Sequence, residues 1–386
     1  MRIVVDALPL LGLATGISRY LRNLYGAMKA LNGPSNMDVV YFDGARAHLS
    51  MPRVAKPALS SKITAALWSL PDPLVFALRC VHWLIYEHRL RQIIKAGHFD
   101  LYHATSFVPA ALSNTPQVFS LYDLSLIRYP QTHPRERVWF FRFWKRRRMS
   151  CASHILTLSE FMRREICRVL QWSQDRVTAV PLAPAEHFAP RNPEAVASVR
   201  KRLGLPNHYL LFVGSLEPRK NIGLAVKALH RCRSDIPLVL AGWEAWGDKT
   251  WLETVPTGRR QPQIFRPGFV DDETLACLYS GATALIYPSL YEGFGLPILE
   301  AMACGCPVIC SNTSSMPEVA GGAARLIDPG NPDDLAAAID EVTGSAEYRQ
   351  NLIHKGHARA AAFSWTRTAR ETQAVLSAII AKNHSP

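Results

Sequence analysis

Two glutamates, Glu292 and Glu300, flank a glycine-rich loop in the stretch EGFGLPILEAMACGCPVI, residues 292–309. Before them, Ala284–Tyr287 is an apolar run of strand length that stops at Pro288-Ser289. Gly293 and Gly295 let the backbone approach a ligand closely, Pro297 suits a first helical turn, and Gly305 supplies the stop. Free amides at such a helix start make an anion site suited to a phosphate. Glu300, one turn in, would repel that phosphate unless it accepts hydrogen bonds from hydroxyls of an attached sugar. The pattern therefore points to a sugar nucleotide, with the loop-borne Glu292 facing the same pocket.

A second constellation lies upstream, where strand candidate Tyr209–Val213 runs into Gly214-Ser215-Leu216-Glu217-Pro218-Arg219-Lys220-Asn221. At about 4 Å and a near-surface dielectric, each cation–phosphate contact is worth on the order of 4 kcal/mol before desolvation. Arg219 and Lys220 together suffice to support a departing diphosphate, so no metal is required. The sequence has no D-x-D pair to hold a divalent ion on a diphosphate, and Asp271-Asp272-Glu273 opens a helix instead. No metal and no other cofactor is expected.

A dinucleotide fingerprint is the competing reading of Gly293-Phe294-Gly295. It fails because Ile298 stands where the third glycine belongs, and because the next strand candidate, Pro307–Cys310, ends in Ser311-Asn312 without a ribose-binding acid.

The elements that must position these residues are legible as short apolar runs. Six strand candidates lie between Arg2 and Val180 and six between Tyr209 and Ile327, most of them separated by helical stretches. That alternation predicts an α/β protein with two doubly wound, Rossmann-like domains, each with a parallel sheet covered on both faces. Pro184, Pro190 and Asn192 interrupt the pattern between Pro181 and Pro206. The expected division is a first domain over 1–185, a linker over 186–206, a second domain over 207–365 and a last helix within 366–386. The ligand crevice is expected between the domains, at the carboxyl ends of both sets of strands.

The run from Gly268 to Pro329, preceded by VGSLEPRKN, resembles the donor domain of family 4 retaining glycosyltransferases of the GT-B fold. The first half agrees more loosely, through Gly16-Ile17-Ser18-Arg19-Tyr20 and LYDLSLIRYP at 121–130. Within the family the resemblance is greatest to bacterial mannosyltransferases and rhamnosyltransferases of surface polysaccharide synthesis. It implies two sheets facing each other across a cleft, and a last helix that crosses back onto the first domain. It implies that Glu300 binds the ribose hydroxyls, that Glu292 contacts the transferred sugar, and that Lys220 and Arg219 hold the diphosphate beside Gly214 and Ser215. Amides of Phe294, Gly295 and Leu296 would meet sugar and phosphate, Gly16 would let a loop close over the diphosphate, and backbone near Phe269 and Val270 would read the base. Relatives usually carry arginine where this chain has Ser215, and histidine before Asp123 where it has Tyr122. A phenol donates a hydrogen bond to a sugar hydroxyl but does not relay protons near neutral pH as imidazole does. The implied donor is GDP-mannose, with another GDP-, UDP- or dTDP-linked hexose as the alternative. The implied acceptor is a glycan or a polyprenyl-diphosphate-linked oligosaccharide.

The net charge is +13, from 44 Lys and Arg against 31 Asp and Glu, and the densest basic run is Arg135–Arg148, interleaved with Trp139, Phe140, Phe141, Phe143 and Trp144. Such a segment suits an anionic membrane surface, where each cation contributes about 1 kcal/mol. Its aromatics do not segregate from its cations on a helical wheel, so part of it must pack inside the domain. Residues 69–95 form a second membrane candidate, with Trp68, Trp83, Tyr86, Leu90 and Ile94 available for an apolar face; Pro71, Pro73, Arg79 and Glu87 exclude a span. Met1-Arg2 leads straight into the first strand, leaving no room for a signal peptide. The expected location is cytoplasmic, peripheral at the inner face of the cell membrane.

Eight cysteines show no disulfide framework and read as reduced thiols, and Cys304, Cys306 and Cys310 should diverge rather than hold zinc. Two other function classes stand against the transferase. A glycoside hydrolase would use the glutamates as acid and nucleophile but has no use for a diphosphate site. A basic membrane- or nucleic-acid-binding module explains the charge but not the donor motif, and nucleic acid is not an expected partner.

Overall fold

Apolar runs of four or five residues, buried on both sides, make the central strands of the two sheets of this protein. The computed structural model describes residues 1–11, 16–32, 37–52, 70–247 and 262–384. The chain divides into a first unit of Met1–Leu158, Met162–Pro181 and the segment from Trp365 onward, and a second of Ser159–Phe161 and Leu182–Ser364.

The first unit holds β1 (Arg2–Asp6), β2 (Asp38–Phe42), β3 (Ala47–His48), β4 (Leu101–Ala104), β5 (Gln117–Ser120), β6 (His154–Thr157) and β7 (Val177–Ala179), in the order β3-β2-β1-β4-β5-β6-β7. The two-residue β3 pairs antiparallel with β2, and the other pairings are parallel. The helix Trp365–His384 belongs to this unit and packs on the helix Gly16–Asn32. Ala369 and Leu376 are its buried anchors, the Trp365 ring lies 6.5 Å from that of Tyr20, and Thr368 Oγ1 donates to Pro181 O at 2.7 Å.

The second unit holds β8 (Leu210–Val213), β9 (Leu238–Ala241), β10 (Ile264–Gly268), β11 (Ala284–Tyr287), β12 (Val308–Ser311) and β13 (Arg325–Ile327), all parallel, in the order β10-β9-β8-β11-β12-β13. Every residue of β8, β9, β11 and β12 is buried, as central strands covered on both faces require. Leu210, Phe212, Leu240, Ile286 and Ile309 share one core with Ala225 and Ala228 of the helix Ile222–Leu229 and with Leu335 and Ile339 of the helix Pro332–Gly344. Each large side chain of that core contributes about 1.5–3 kcal/mol by leaving water. Pro267 sits in β10, at the sheet edge where its missing N–H does no harm. The chain builds outward from β8 to β10, then returns to the other side of β8 at β11. The carboxyl ends of β8 and β11 are therefore the point where the strand order reverses, the place where open α/β sheets bind ligands.

The segment 186–206, expected as a linker, contains the helix Pro193–Leu203 and lies in the second unit. Asn192 caps it by accepting from Ala195 N at 2.8 Å, Pro193 occupies its first turn, and Gly204 ends it at φ 64°. Of the residues read as breakers, Asn192 is the cap that starts this helix.

The basic–aromatic run is the helix Arg135–Arg148, which packs on the helix Asp72–Gly97 and buries Val138, Phe140, Phe141 and Trp144. Of the apolar face expected in residues 69–95, Trp83, Tyr86 and Leu90 turn inward; Trp68 and Ser69 lie outside the described residues. Among the described residues no helix is long and apolar enough to cross a membrane.

Candidate active site

The two loops that the sequence singled out leave the carboxyl ends of the neighbouring strands β8 and β11. After β8, Gly214 leads to a single 3₁₀ turn, Pro218–Lys220, closed by Asn221 in the left-handed region at φ 57°. Asparagine tolerates that conformation better than most residues. Its Nδ2 donates to Pro288 O at 3.1 Å and Pro329 O at 2.9 Å, tying this turn to the loop after β11 and to the segment after β13. A Cβ on Gly242, at the end of β9, would stand 1.9 Å from Gly214 O, so only glycine permits the close approach of backbone there.

Arg219, Lys220 and Glu292 are buried and meet directly. Lys220 Nζ donates to Glu292 Oε1 at 2.7 Å and to Tyr287 Oη at 3.0 Å. Arg219 Nη1 donates to Glu292 Oε2 at 3.0 Å and to Tyr291 O at 2.6 Å, and Nη2 donates to Glu217 Oε1 at 2.5 Å. Burial pushes the Glu292 carboxyl up, but Lys220 and Arg219 outweigh it and hold the group down at about 2. Two cations face two carboxylates, Glu217 and Glu292, so the cluster is neutral. Any diphosphate meeting Lys220 and Arg219 therefore shares them with Glu292.

Glu292 is fixed through its backbone as well. Its N–H donates to Ser314 Oγ at 3.1 Å, and Ser315 Oγ donates to Glu292 O and Phe294 O at 2.9 Å each. Gly295, at φ 100°, turns the chain into the helix Leu296–Ala303, with Pro297 in its first turn. Glu300 on that helix is 1 % exposed and accepts from Tyr279 Oη at 3.0 Å. An acid on an ordinary helix surface would be solvated; a carboxylate held inside needs hydrogen-bond donors to offset its desolvation.

The other sequence-chosen residues are placed as follows. The Lys220 stem runs over Gly214, whose absent Cβ would lie 3.6 Å from Lys220 Cε. Ser215 O accepts from Glu217 N at 2.9 Å. Phe269 is exposed and Val270 half-buried, both just past β10. Gly16 opens its helix, and nothing lies within 4 Å of where a Cβ would be, so this arrangement sets no local steric demand for glycine. Tyr122 Oη is buried inside the first unit, and burial first, then Tyr20 and Asp6, push its pKa well above the usual phenol value. The residue as a whole is half-buried, with its hydroxyl turned inward. Asp123 Oδ1 accepts from Ser125 N at 2.8 Å, opening the short helix Ser125–Arg128.

Glu217, Tyr287, Asn221, Tyr279 and Gly242 were not assigned roles by the sequence. Glu217 carried the one available signal, an acid two positions before Arg219. The cysteines are all free thiols, and burial pushes Cys304 and Cys310 up to about 12.

The model of the family described as Glycosyl transferases group 1 matches residues 198–359, and that of Glycosyltransferase Family 4 matches residues 14–183. The chain is 33% identical over 383 residues to the O-antigen chain mannosyltransferase B of Escherichia coli, covering 96% of this chain and 98% of that one. Among solved structures it resembles sucrose-phosphate synthase of Thermosynechococcus elongatus, with TM-score 0.72 at 18% identity, covering 99% of this chain and 100% of that one. It also resembles Anabaena HepE in complex with UDP-glucose, with TM-score 0.69 at 17% identity, covering 98% of this chain and 100% of that one. The chain belongs to glycosyltransferase family 4. Its fold is GT-B, and it is a glycosyltransferase.

Proposed function

We propose that this enzyme transfers mannose from GDP-mannose, with retention at the anomeric carbon, to a hydroxyl of a glycan or polyprenyl-diphosphate-linked oligosaccharide in bacterial surface polysaccharide synthesis. The Lys220–Glu292–Arg219 cluster at the point where the sheet reverses its strand order carries the reading. The likeness over nearly the whole chain to an O-antigen mannosyltransferase supports the sugar and the pathway class, and the UDP-glucose bound to HepE supports a nucleotide-sugar donor.

In this reading Lys220, with Arg219 behind it, stabilises charge on the departing diphosphate, whose oxygen takes the proton of the incoming hydroxyl on the same face of the sugar. No metal enters the reaction. Glu292, an anion throughout the working pH range, stabilises positive charge developing at the anomeric carbon. Both its oxygens are engaged by cations, which argues against a nucleophile and a double displacement. Glu300 accepts from the ribose hydroxyls. The enzyme works as a peripheral protein at the cytoplasmic face of the membrane, where a lipid-linked acceptor is held.

A glycoside hydrolase requires a carboxyl group whose pKa is raised so that it can donate a proton. Glu292 is shifted the other way. The test is release of GDP from GDP-mannose in the presence of acceptor, with the anomeric configuration of the product read by NMR. Acceptor-dependent release and an α-linked product support the proposal; hydrolysis without acceptor, or an inverted product, refutes it.

A further inference from the structure

The helix Asp72–Gly97 is apolar on two opposite faces, and among the described residues only one of them is covered. Val75, Trp83, Tyr86 and Leu90 are buried, whereas Leu74, Leu78, Val81, Leu84 and Ile85 are each 45–55% exposed. Positions 74, 78, 81 and 85 fall on one stripe of the helix. On the neighbouring helix Arg135–Arg148, Trp139 and Phe143 are also exposed, and both meet the ring of Phe76 edge-on, at 6.4 and 6.0 Å. Large apolar side chains grouped this way on two adjacent helices mark an interaction site rather than a scatter of surface side chains.

The exposed charges of the two helices have one sign. Arg135, Arg142, Arg146 and Arg147 are exposed on the second helix, and Arg89 and Lys95 on the first. The two glutamates of these helices are buried in ion pairs, Glu87 with Arg148 at 2.7 Å and Glu136 with Arg79 at 3.3 Å, so neither offsets the surface charge. Asp72, half-buried in the first turn, is the remaining acid of the pair. Positions 135, 139, 142, 143 and 146 share one face, which therefore alternates arginine with aromatic rings. A second copy of this chain would bring cations against cations.

We propose that this two-helix face docks on an anionic lipid bilayer. The aliphatic stripe enters the boundary between headgroups and acyl chains, Trp139 and Phe143 sit at headgroup level, and the arginines meet lipid phosphates. The proposal deepens the reading of a membrane-held acceptor and rests on that part of it alone. Transfer to a water-soluble acceptor tests the enzyme separately.

The experiment is co-sedimentation of the full chain with vesicles of phosphatidylglycerol and phosphatidylethanolamine, and with vesicles of phosphatidylcholine alone. The parent should bind the anionic vesicles and largely ignore the neutral ones. The exposed pair Leu78→Gln with Ile85→Gln should lower partitioning on the order of tenfold or more, from lost apolar burial. The pair Arg142→Gln with Arg146→Gln should lower it comparably and weaken its salt dependence. Both variants should keep the parent's turnover on a water-soluble acceptor, which shows that they fold. The proposal falls if the parent stays in the supernatant, or if the Leu78/Ile85 variant binds vesicles as the parent does. It falls equally if ultracentrifugation finds a parent dimer that this variant abolishes, since the stripe would then belong to a second copy.

Discussion

Lys220 Nζ lies 2.7 Å from Glu292 Oε1, although the two residues are 72 positions apart and leave the sheet on different strands. Strands β8 and β11 are neighbours only because the chain returns to the middle of the sheet, and the ion pair forms where the order reverses. Arg219 completes the cluster from the other carboxylate oxygen.

Lys220→Ala should abolish turnover, with kcat falling on the order of a thousandfold, because the ammonium that stabilises the departing diphosphate is gone. Arg219 still pairs with Glu292, so the loss of stability should be modest, about 1–3 kcal/mol. Steady-state kinetics at a temperature where the melting curve shows the variant folded separates the effects. A folded variant with near-parental kcat would remove Lys220 from the mechanism.

Glu300→Ala should mainly weaken donor binding, raising the KM for the sugar nucleotide with little change in kcat. Tyr279→Phe deletes the hydrogen bond to Glu300 Oε2 and should do the same more mildly, by about fivefold to tenfold. Calorimetry with the donor measures both, and unchanged affinity in the Glu300 variant would contradict the ribose assignment.

Strand placement was largely readable because parallel strands buried on both faces appear as unbroken apolar runs; Ala284–Tyr287 has the bounds its sequence suggests. The two-residue β3 has no pattern to read, and Pro193–Leu203 was obscured because Asn192 and Pro193 serve equally as breaker and helix start. Residue types at strand ends pointed to Arg219, Lys220, Glu292 and Glu300 as candidates, and the first three meet in the structure. Their mutual pairing was not legible, since nothing local records that a turn after β8 faces a loop after β11. Nor does a sequence record rotation about a side chain, which is what turns the Tyr122 hydroxyl inward.

Tyr122→Phe should therefore retain turnover within a few-fold of the parent, because the deleted hydroxyl is buried within the first unit. Measured kcat/KM for acceptor and donor decides this. A loss of a hundredfold or more would return the phenol to the substrate.

Glu292 also sets an acid limit on stability. Burial opposes its ionisation, yet Lys220 and Arg219 hold it at about 2, below the 4.5 of an unperturbed glutamate. Between those values the folded protein binds fewer protons than the unfolded chain, so stability rises with pH there. The contribution is fully present above about 4.5 and lost as pH falls through about 2, and is on the order of 3 kcal/mol. Glu292→Gln should be least stable relative to the parent at neutral pH, and denaturant midpoints of the two should converge toward acid. A gap independent of pH would mean that Glu292 is not held as an anion.

The central claim is that the second unit grips a nucleotide-diphosphate sugar through Lys220 and the loop carrying Glu292. Titration of GDP-mannose into the parent and into Lys220→Ala, followed by calorimetry, tests it most directly. The account expects saturable one-to-one binding to the parent and affinity at least tenfold weaker in the variant. Equal affinity for both proteins, or no heat of binding with any nucleotide sugar in the parent, would contradict it.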